Sequence, residues 1–154
     1  MIKQQEHENY MRRALELAAL AAAEGEIPVG CVVVDGAGKI LGEGRNRREA
    51  TRSVTGHAEL EALDMACRTR GDWRMSDCTL FVTLEPCPMC AGAMINARLG
   101  ALVYGAREPE SGCAASVLNL FAERFPGSTA IFSGVLGAEA AALLRAFFQE
   151  RRSV

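Results

Sequence analysis

Two short stretches of this 154-residue chain carry side chains that could do chemistry together: His57-Ala58-Glu59 and, further along, Pro86-Cys87-Pro88-Met89-Cys90. Cysteines three apart on a helix point within about 60° of each other, so both sulfurs can face one point, and a helix N-terminus favours the thiolate. Pro88 suits the first turn of such a helix, where its missing N–H costs nothing. Taken alone, Cys-x-x-Cys fits a redox pair, half of a structural zinc site or two buried small hydrophobes. A lone histidine is more often a surface or capping residue than a ligand. His57 with Cys87 and Cys90, however, makes three zinc ligands and leaves the fourth position for water, the pattern of a catalytic site. No second Cys-x-x-Cys completes a closed cage, and His7, the other histidine, falls in a polar, fraying N-terminus. Glu59 could then take a proton beside the metal and pass it on. Residues two apart in a continuous helix diverge by about 200°. His57 and Glu59 therefore converge only if His57 lies at the helix edge with non-helical dihedrals, a break that Thr55-Gly56 can provide.

The elements that must position these groups alternate between helix and strand patterns. Residues 8–24 place Tyr10, Leu15, Leu17, Ala18 and Leu20 at helical spacing and stop near Gly25. Pro28 opens the apolar run VGCVVV, and Asp35-Gly36 with Gly38 predicts a tight turn into KILGEGRN, so the first two strands form a hairpin. Residues 57–70 return to helical spacing through Leu60, Leu63 and Cys67 and stop at Gly71. CTLFVTLE reads as a third strand, CPMCAGAMINAR as a nearly all-apolar helix and ALVYGA as a fourth strand. A short helical piece is expected around SVLNLF, a fifth strand at TAIFSG and a closing helix from about Ala138 to Arg151. A hairpin followed by strand, helix and strand predicts an α/β fold, a three-layer α/β/α sandwich on a mixed five-stranded sheet, because a parallel crossover needs a helix between strands. No repeat, low-complexity tract or break in composition divides the chain, so residues 1–154 are expected to form a single domain.

No apolar run approaches the roughly 18 to 20 residues that a bilayer span requires, so no membrane partner is expected. The N-terminus becomes an alanine-rich amphipathic helix without the compact apolar block of a secretory signal, which predicts a cytoplasmic protein. Six cysteines in that compartment are thiols rather than a disulfide framework. Cys31 and Cys78 in strand patterns, Cys67 on a helix and Cys113 in a loop are expected in the core. Seventeen basic against nineteen acidic side chains give a net charge of −2, which does not by itself announce a nucleic-acid binder. Charge is nevertheless gathered locally: RNRREATR at 45–52 carries four arginines, and RAFFQERRSV sets Arg145, Arg151 and Arg152 beside Phe147 and Phe148. Each run fits a solvated face or a phosphate contact.

His-x-Glu followed by Pro-Cys-x-x-Cys is the zinc deaminase signature. Through GEIPVG, VVVDGAGKILGEGRNR, TLFVTLEPCPMCAGAMINARLGALVYGARE and ALLRAFFQERR, the chain resembles the bacterial tRNA-specific adenosine deaminases of the zinc-dependent cytidine and deoxycytidylate deaminase superfamily. The resemblance implies a cytidine-deaminase-like fold and a homodimer with one Zn²⁺ per subunit. The implied reaction is hydrolytic deamination of the wobble adenosine of a tRNA anticodon stem-loop to inosine. Carried over position by position, it makes His57, Cys87 and Cys90 the zinc ligands and Glu59 the proton shuttle, which deprotonates the zinc water, protonates N1 of adenine as hydroxide attacks C6 and helps ammonia leave. It implies that Asn46 contacts the flipped nucleoside, that Pro28, Val29 and Glu85 line the base pocket, and that Phe148, Arg151 and Arg152 meet flanking nucleotides. Glu108 stands at the position near the nucleotide sugar. Backbone N–H groups near Ala58 and Cys87, at helix starts, are suited to hold the reacting centre. A flipped base needs an apolar or stacking wall and phosphates need arginine, and these residue types stand at the places named. Asn46 equally fits a turn residue closing the second strand, and Phe148 a core anchor.

The chain departs from that family at Ser53-Val54-Thr55-Gly56, where Asp-Pro-Thr-Ala is usual, and at Glu108, where aspartate is common. Ala115 replaces a usual glycine, FPGSTAIFSG lacks a common Asn-His pair, and Gln149-Glu150 dilutes the positive charge of the last turn. None of these touches the metal site, so they bear on the substrate. Two other readings compete: a deaminase of a free nucleobase or nucleoside of guanine or cytosine type, which shares the HAE and PCPMC elements, and a noncatalytic zinc module. The basic loop, the FF…RR tail and LVYGARE favour RNA.

Overall fold

Alternation along the strands sorts side chains between two cores. In β1 (Gly30–Val34), Cys31 and Val33 enter one buried cluster and Val32 and Val34 the other, as the two-residue period of a strand requires. The same split places Leu80 and Val82 opposite Phe81 in β3 (Thr79–Leu84), and Leu102 and Tyr104 opposite Val103 in β4 (Ala101–Ala106). Both faces of the sheet are therefore covered by helices. One cluster is closed by Ala62, Leu63 and Ala66 of α3 (Ala58–Arg70) and by Cys90 and Met94 of α4 (Pro88–Asn96); the other is closed by Met11, Ala14 and Leu17 of α1 (His7–Ala23).

The computed structural model describes residues 2–152. The sheet also contains β2 (Ile40–Arg45) and β5 (Ala130–Phe132), in the order β2-β1-β3-β4-β5. β1 runs antiparallel to both β2 and β3, while β3, β4 and β5 are parallel. The expected three-layer α/β/α sandwich on a mixed five-stranded sheet is thus the observed fold. A four-residue helix, α2 (Arg48–Thr51), interrupts the basic loop, α5 (Gly137–Arg152) closes the chain beside α1, and 3₁₀ turns occupy Gln4–Glu6 and Leu120–Ala122. Among the described residues no helix is long and apolar enough to cross a membrane.

α3 approaches the sheet closely because Gly42 and Gly44 of β2 lie beneath it: a Cβ on Gly42 would collide with the Ala62 carbonyl and one on Gly44 with that of Ala58. The helix that follows His57 is thereby held against the strand that leads to Asn46.

Three expectations need correction. His7 is not frayed: it opens α1, is 3% exposed, and meets the rings of Phe81 and Phe132 edge-on at 5.5 and 4.9 Å. Burial holds its imidazole below the usual histidine range. The inward face of α1 is Met11, Ala14, Leu17, Ala18 and Ala21, and Leu20 is exposed. Alanines let the helix lie close to the sheet, and the larger leucines at 15 and 20 fall to its side. Around SVLNLF the expected helical piece shrinks to the turn Leu120–Ala122, opened by the Asn119 side chain accepting from the Phe121 N–H. All six cysteines are free thiols.

Candidate active site

His57 is the residue before the first turn of α3, with φ −97° and ψ 146°, and Cys87 stands in the same place before α4, with φ −74° and ψ 173°. Extended dihedrals there turn each side chain away from its helix and across the gap between the two N-termini. His57 therefore lies at the helix edge with non-helical geometry, as its convergence with Glu59 demands. Pro88 is the first residue of α4, and one turn on, Cys90 is fully buried beneath. His57 Nδ1 stands 3.7 Å from Cys87 Sγ and 3.5 Å from Cys90 Sγ, and the three donor atoms lie within 4.8 Å of one another. A tetrahedral zinc with N and S bonds of ordinary length sets its N and S donors about 3.5 Å apart and its two S donors about 3.8 Å apart. The two N–S separations match that ion, and the two sulfurs lie within 4.8 Å of each other.

Electrostatics favour metal binding at Cys87, whereas His57 and Cys90, both raised, would release their protons to a bound cation. A hydrogen bond from Cys90 pulls the Cys87 thiol down to about 4, and the His57 imidazole is raised by its hydrogen bond with Cys87. The Cys87 thiolate, the form that binds metal, is thus present at neutral pH. Glu59, in the first turn of α3, is 4% exposed, and burial pushes its carboxyl up to about 7.

Above this floor lies a cavity of about 330 Å³, bordered by Val29, Asn46, His57, Ala58, Glu59, Glu85, Cys87, Glu108 and Phe148 among the residues singled out from sequence. Ile27, Arg48, Leu84, Arg107, Pro109, Ser111 and Leu144 complete its lining. In the sequence Arg48 stands out only as part of the basic run at 45–52 and Arg107 only within LVYGARE, and Leu144 carries no signal beyond helical spacing. Pro28, though buried, does not border the cavity, and neither does Arg152, exposed at the end of α5. Arg151 faces a side chamber of about 170 Å³ that shares Ile27, Asn46, Arg48 and Phe148 with the main cavity. Its guanidinium donates to the Gly25 carbonyl and lies 4.5 Å over the Phe147 ring, which fastens α5 to the end of α1. Phe147, rather than Phe148, is the core anchor of the tail.

The backbone bonds of Asn46 support its turn-residue role as well. Its N–H reaches the Val29 carbonyl at 3.1 Å, its side-chain N–H the Ile27 carbonyl at 3.2 Å, and its Oδ1 accepts from Arg48 N–H at 3.2 Å. One amide proton and one lone pair remain.

Glu85 departs further from its expected part. Its carboxylate accepts from the N–H groups of Glu108 (3.1 Å), Ala114 (3.1 Å), Ala115 (2.9 Å) and Ser116 (2.9 Å) and from the Ser116 hydroxyl (2.5 Å). A carboxylate has about four lone-pair sites, so Glu85 has no acceptor capacity left for a base. Burial opposes its ionisation, but these donors outweigh it and the carboxyl lies below its usual range. Gly112 is glycine because a Cβ there would collide with this carboxylate. Glu85 thus builds the wall that presents Glu108, whose own Oε1 accepts from Glu110 N–H at 3.0 Å.

The unusual stretch before His57 is a defined turn. The Ser53 hydroxyl accepts from Thr55 N–H at 3.2 Å, and Arg47 N–H donates to the Gly56 carbonyl at 2.9 Å.

The family model of the cytidine and deoxycytidylate deaminase zinc-binding region matches residues 4–106, a span that includes His57, Cys87 and Cys90. A tRNA-specific adenosine deaminase of Bacillus subtilis (strain 168) is 43% identical over 146 residues, spanning 94% of this chain and 90% of that protein. A tRNA(Ile)-lysidine synthase of Deinococcus radiodurans is 47% identical over 142 residues, 92% of this chain but only 24% of that longer protein. A structure from studies of A-to-I editing by tRNA:A34 deaminases superposes with a TM-score of 0.84 at 36% identity, covering 88% of this chain and 99% of the other. The guanine deaminase from Nitrosomonas europaea gives 0.80 at 27% identity, over 91% and 83%. The chain belongs to the zinc-binding cytidine and deoxycytidylate deaminase family, and within it to the tRNA-specific adenosine deaminases.

Proposed function

We propose that this protein hydrolytically deaminates the wobble adenosine of a tRNA anticodon to inosine, releasing ammonia. The observation that carries the reading is a buried Glu59 beside three convergent metal donors at the floor of a cavity of about 330 Å³. His57, Cys87 and Cys90 hold Zn²⁺, which when bound supplies the Lewis acidity that makes water nucleophilic at neutral pH. Glu59 takes the proton from the attacking water, delivers it to N1 of adenine and then assists the departing amine. The N–H groups at Ala58 and Cys87, at two helix starts that border the cavity, are suited to hold the reacting centre. Val29 and Leu84 offer the base an apolar wall, and Asn46 uses its remaining amide proton and lone pair on the nucleoside.

A free base would need only the floor and this wall. The rim adds Arg48, Arg107 and the exposed Phe148, groups suited to phosphates and to a stacked neighbouring base. Glu108 reaches the sugar, and Arg151 supports the tail from behind while Arg152 meets the strand beyond the cavity. Residues 1–154 act as one domain. A second copy of the chain packs on the outer face of α3 and α4, where Met65 and Trp73 are exposed large apolar side chains and α4 is lined with small residues. The substrate places the enzyme in the cytoplasm.

Incubation of the zinc-loaded protein with an adenosine-bearing anticodon stem-loop, read by sequencing for inosine, is expected to give conversion that depends on Glu59. Ammonia release from free guanine or cytosine in parallel reactions, without conversion of the stem-loop, would replace this reading with a nucleobase deaminase.

A further inference from the structure

Glu26 is buried at 3% exposure, has no cation paired with it among the described residues, and lies two residues before Pro28 in the segment that borders the cavity. Its carboxylate is aimed at α2: Oε1 accepts from Glu49 N–H at 3.0 Å and Oε2 from Ala50 N–H at 2.8 Å. Those are the second and third residues of the helix, the N–H groups that a capping side chain ordinarily satisfies from the residue just before the first turn. That residue is Arg47, which has no acceptor and makes no capping bond. The cap comes instead from another part of the chain, anchored by Glu26 N–H to the Ala21 carbonyl at 2.9 Å at the end of α1.

What α2 supports lies in the site. Arg48 N–H donates to Asn46 Oδ1 at 3.2 Å, so the first turn of the helix orients the Asn46 amide. On its other side α2 meets the turn before His57. Arg47 N–H bonds the Gly56 carbonyl, Ser53 N–H bonds the Arg48 carbonyl at 3.2 Å, and a Cβ on Gly56 would stand 3.0 Å from Arg48 Cα. Four residues cannot form a stable helix from their own propensity, because nucleation costs more than one turn returns.

We propose that Glu26 is a positioning residue for substrate binding, a remote cap that holds α2 folded and thereby sets Asn46 and Arg48 at the wall of the cavity. It touches neither metal nor substrate, so its loss acts on KM rather than on the chemical step. The proposal rests on the deaminase reading only for the identity of the substrate.

The test compares Glu26→Ala and Glu26→Gln in the zinc-loaded protein, by amide hydrogen exchange at Glu49 and Ala50 and by kinetics on the adenosine stem-loop. In Glu26→Ala both amides should exchange at least about tenfold faster and KM should rise roughly tenfold, the size of one lost cap. The kcat should change by less than about threefold, with zinc content unchanged. Glu26→Gln keeps one acceptor oxygen, so it should protect one of the two amides and recover most of the KM. Unaltered exchange at both amides in either variant overturns the proposal, as does a fall in kcat at constant KM. If the wild type fails to convert the stem-loop, the function proposed above fails, while the exchange measurement still decides whether Glu26 holds α2.

Discussion

At the floor of the cavity, His57 and Cys87 begin helices that are buried against the sheet along one side; at its walls, residues 46–56 and 107–116 contain no strand and a single four-residue helix. The floor inherits its precision from α3 and α4, so two short motifs suffice to define it. Each wall is held from a distance by a buried carboxylate, Glu26 for the first and Glu85 for the second. A loop has no hydrogen-bonding pattern of its own to complete, and its buried N–H groups must find acceptors elsewhere. The two walls also differ in strength: two backbone bonds meet Glu26, one at each oxygen, whereas Glu85 takes four with a hydroxyl in addition.

Removing a piece of the floor should therefore abolish function, whereas loosening a wall should degrade it. Cys90→Ser is expected to lose bound zinc and reduce deamination to background, with metal analysis and the stem-loop assay as the readouts. Retention of both metal and activity would mean that Cys90 is a core residue and the donor set is wrong. Glu59→Gln separates the proton carrier from the ligands: zinc content should be unchanged and kcat should fall by about 10²- to 10⁴-fold.

Glu85 is the next largest. Glu85→Ala leaves the buried Ala114 N–H and three part-buried N–H groups without their acceptor, which should cost about 3 kcal/mol, or roughly 10 °C in Tm for a domain of this size. KM should rise as Glu108 and Ser111 lose their support. Glu85→Gln should restore little, because each carboxylate oxygen takes at least two donors and an amide NH₂ must face N–H groups whichever way it turns. That outcome is opposite to the recovery expected at Glu26, where each oxygen takes one. Equal rescue by glutamine at both positions would erase the distinction between the walls.

The floor was legible in sequence for the reason that makes it rigid. Helical spacing after His57, the breaking residues Thr55-Gly56 before it, and a proline inside Cys-x-x-Cys are local signals, and local signals set helix starts. The sheet was legible from alternating and continuous apolar runs. What escaped depends on partners far along the chain. α2 has no capping residue of its own, and nothing near Arg47 points to Glu26. His7 looks solvated among Lys3, Glu6 and Glu8, yet it is buried by Phe81 and Phe132, which only the folded sheet brings to it. Arg151 reads as a free cation in a basic tail until the fold brings the Gly25 carbonyl against it. Glu85 borders the cavity, but whether a carboxylate is free or saturated depends on a loop more than twenty residues downstream.

The smallest predicted effect concerns Gly56, where the first wall meets the floor. Its backbone does not need glycine's freedom, since its φ is outside the left-handed region; the constraint is contact, with a Cβ 2.8 Å from Thr51 Oγ1 and 3.0 Å from Arg48 Cα. Gly56→Ala should therefore push α2 outward, costing about 1 kcal/mol net of the gain from a stiffer unfolded chain. On the stem-loop KM should rise a few-fold, roughly in proportion to that cost. Thr51→Ala removes the side-chain contact and leaves the Arg48 backbone contact, so the double variant should recover only part of the loss in a double-mutant cycle. A neutral or stabilising Gly56→Ala would show that α2 yields without resistance. The first wall would then be a loose loop that Glu26 merely touches, and the contrast with the Glu85 wall would be one of rigidity against its absence rather than of two carboxylate clamps of unequal strength.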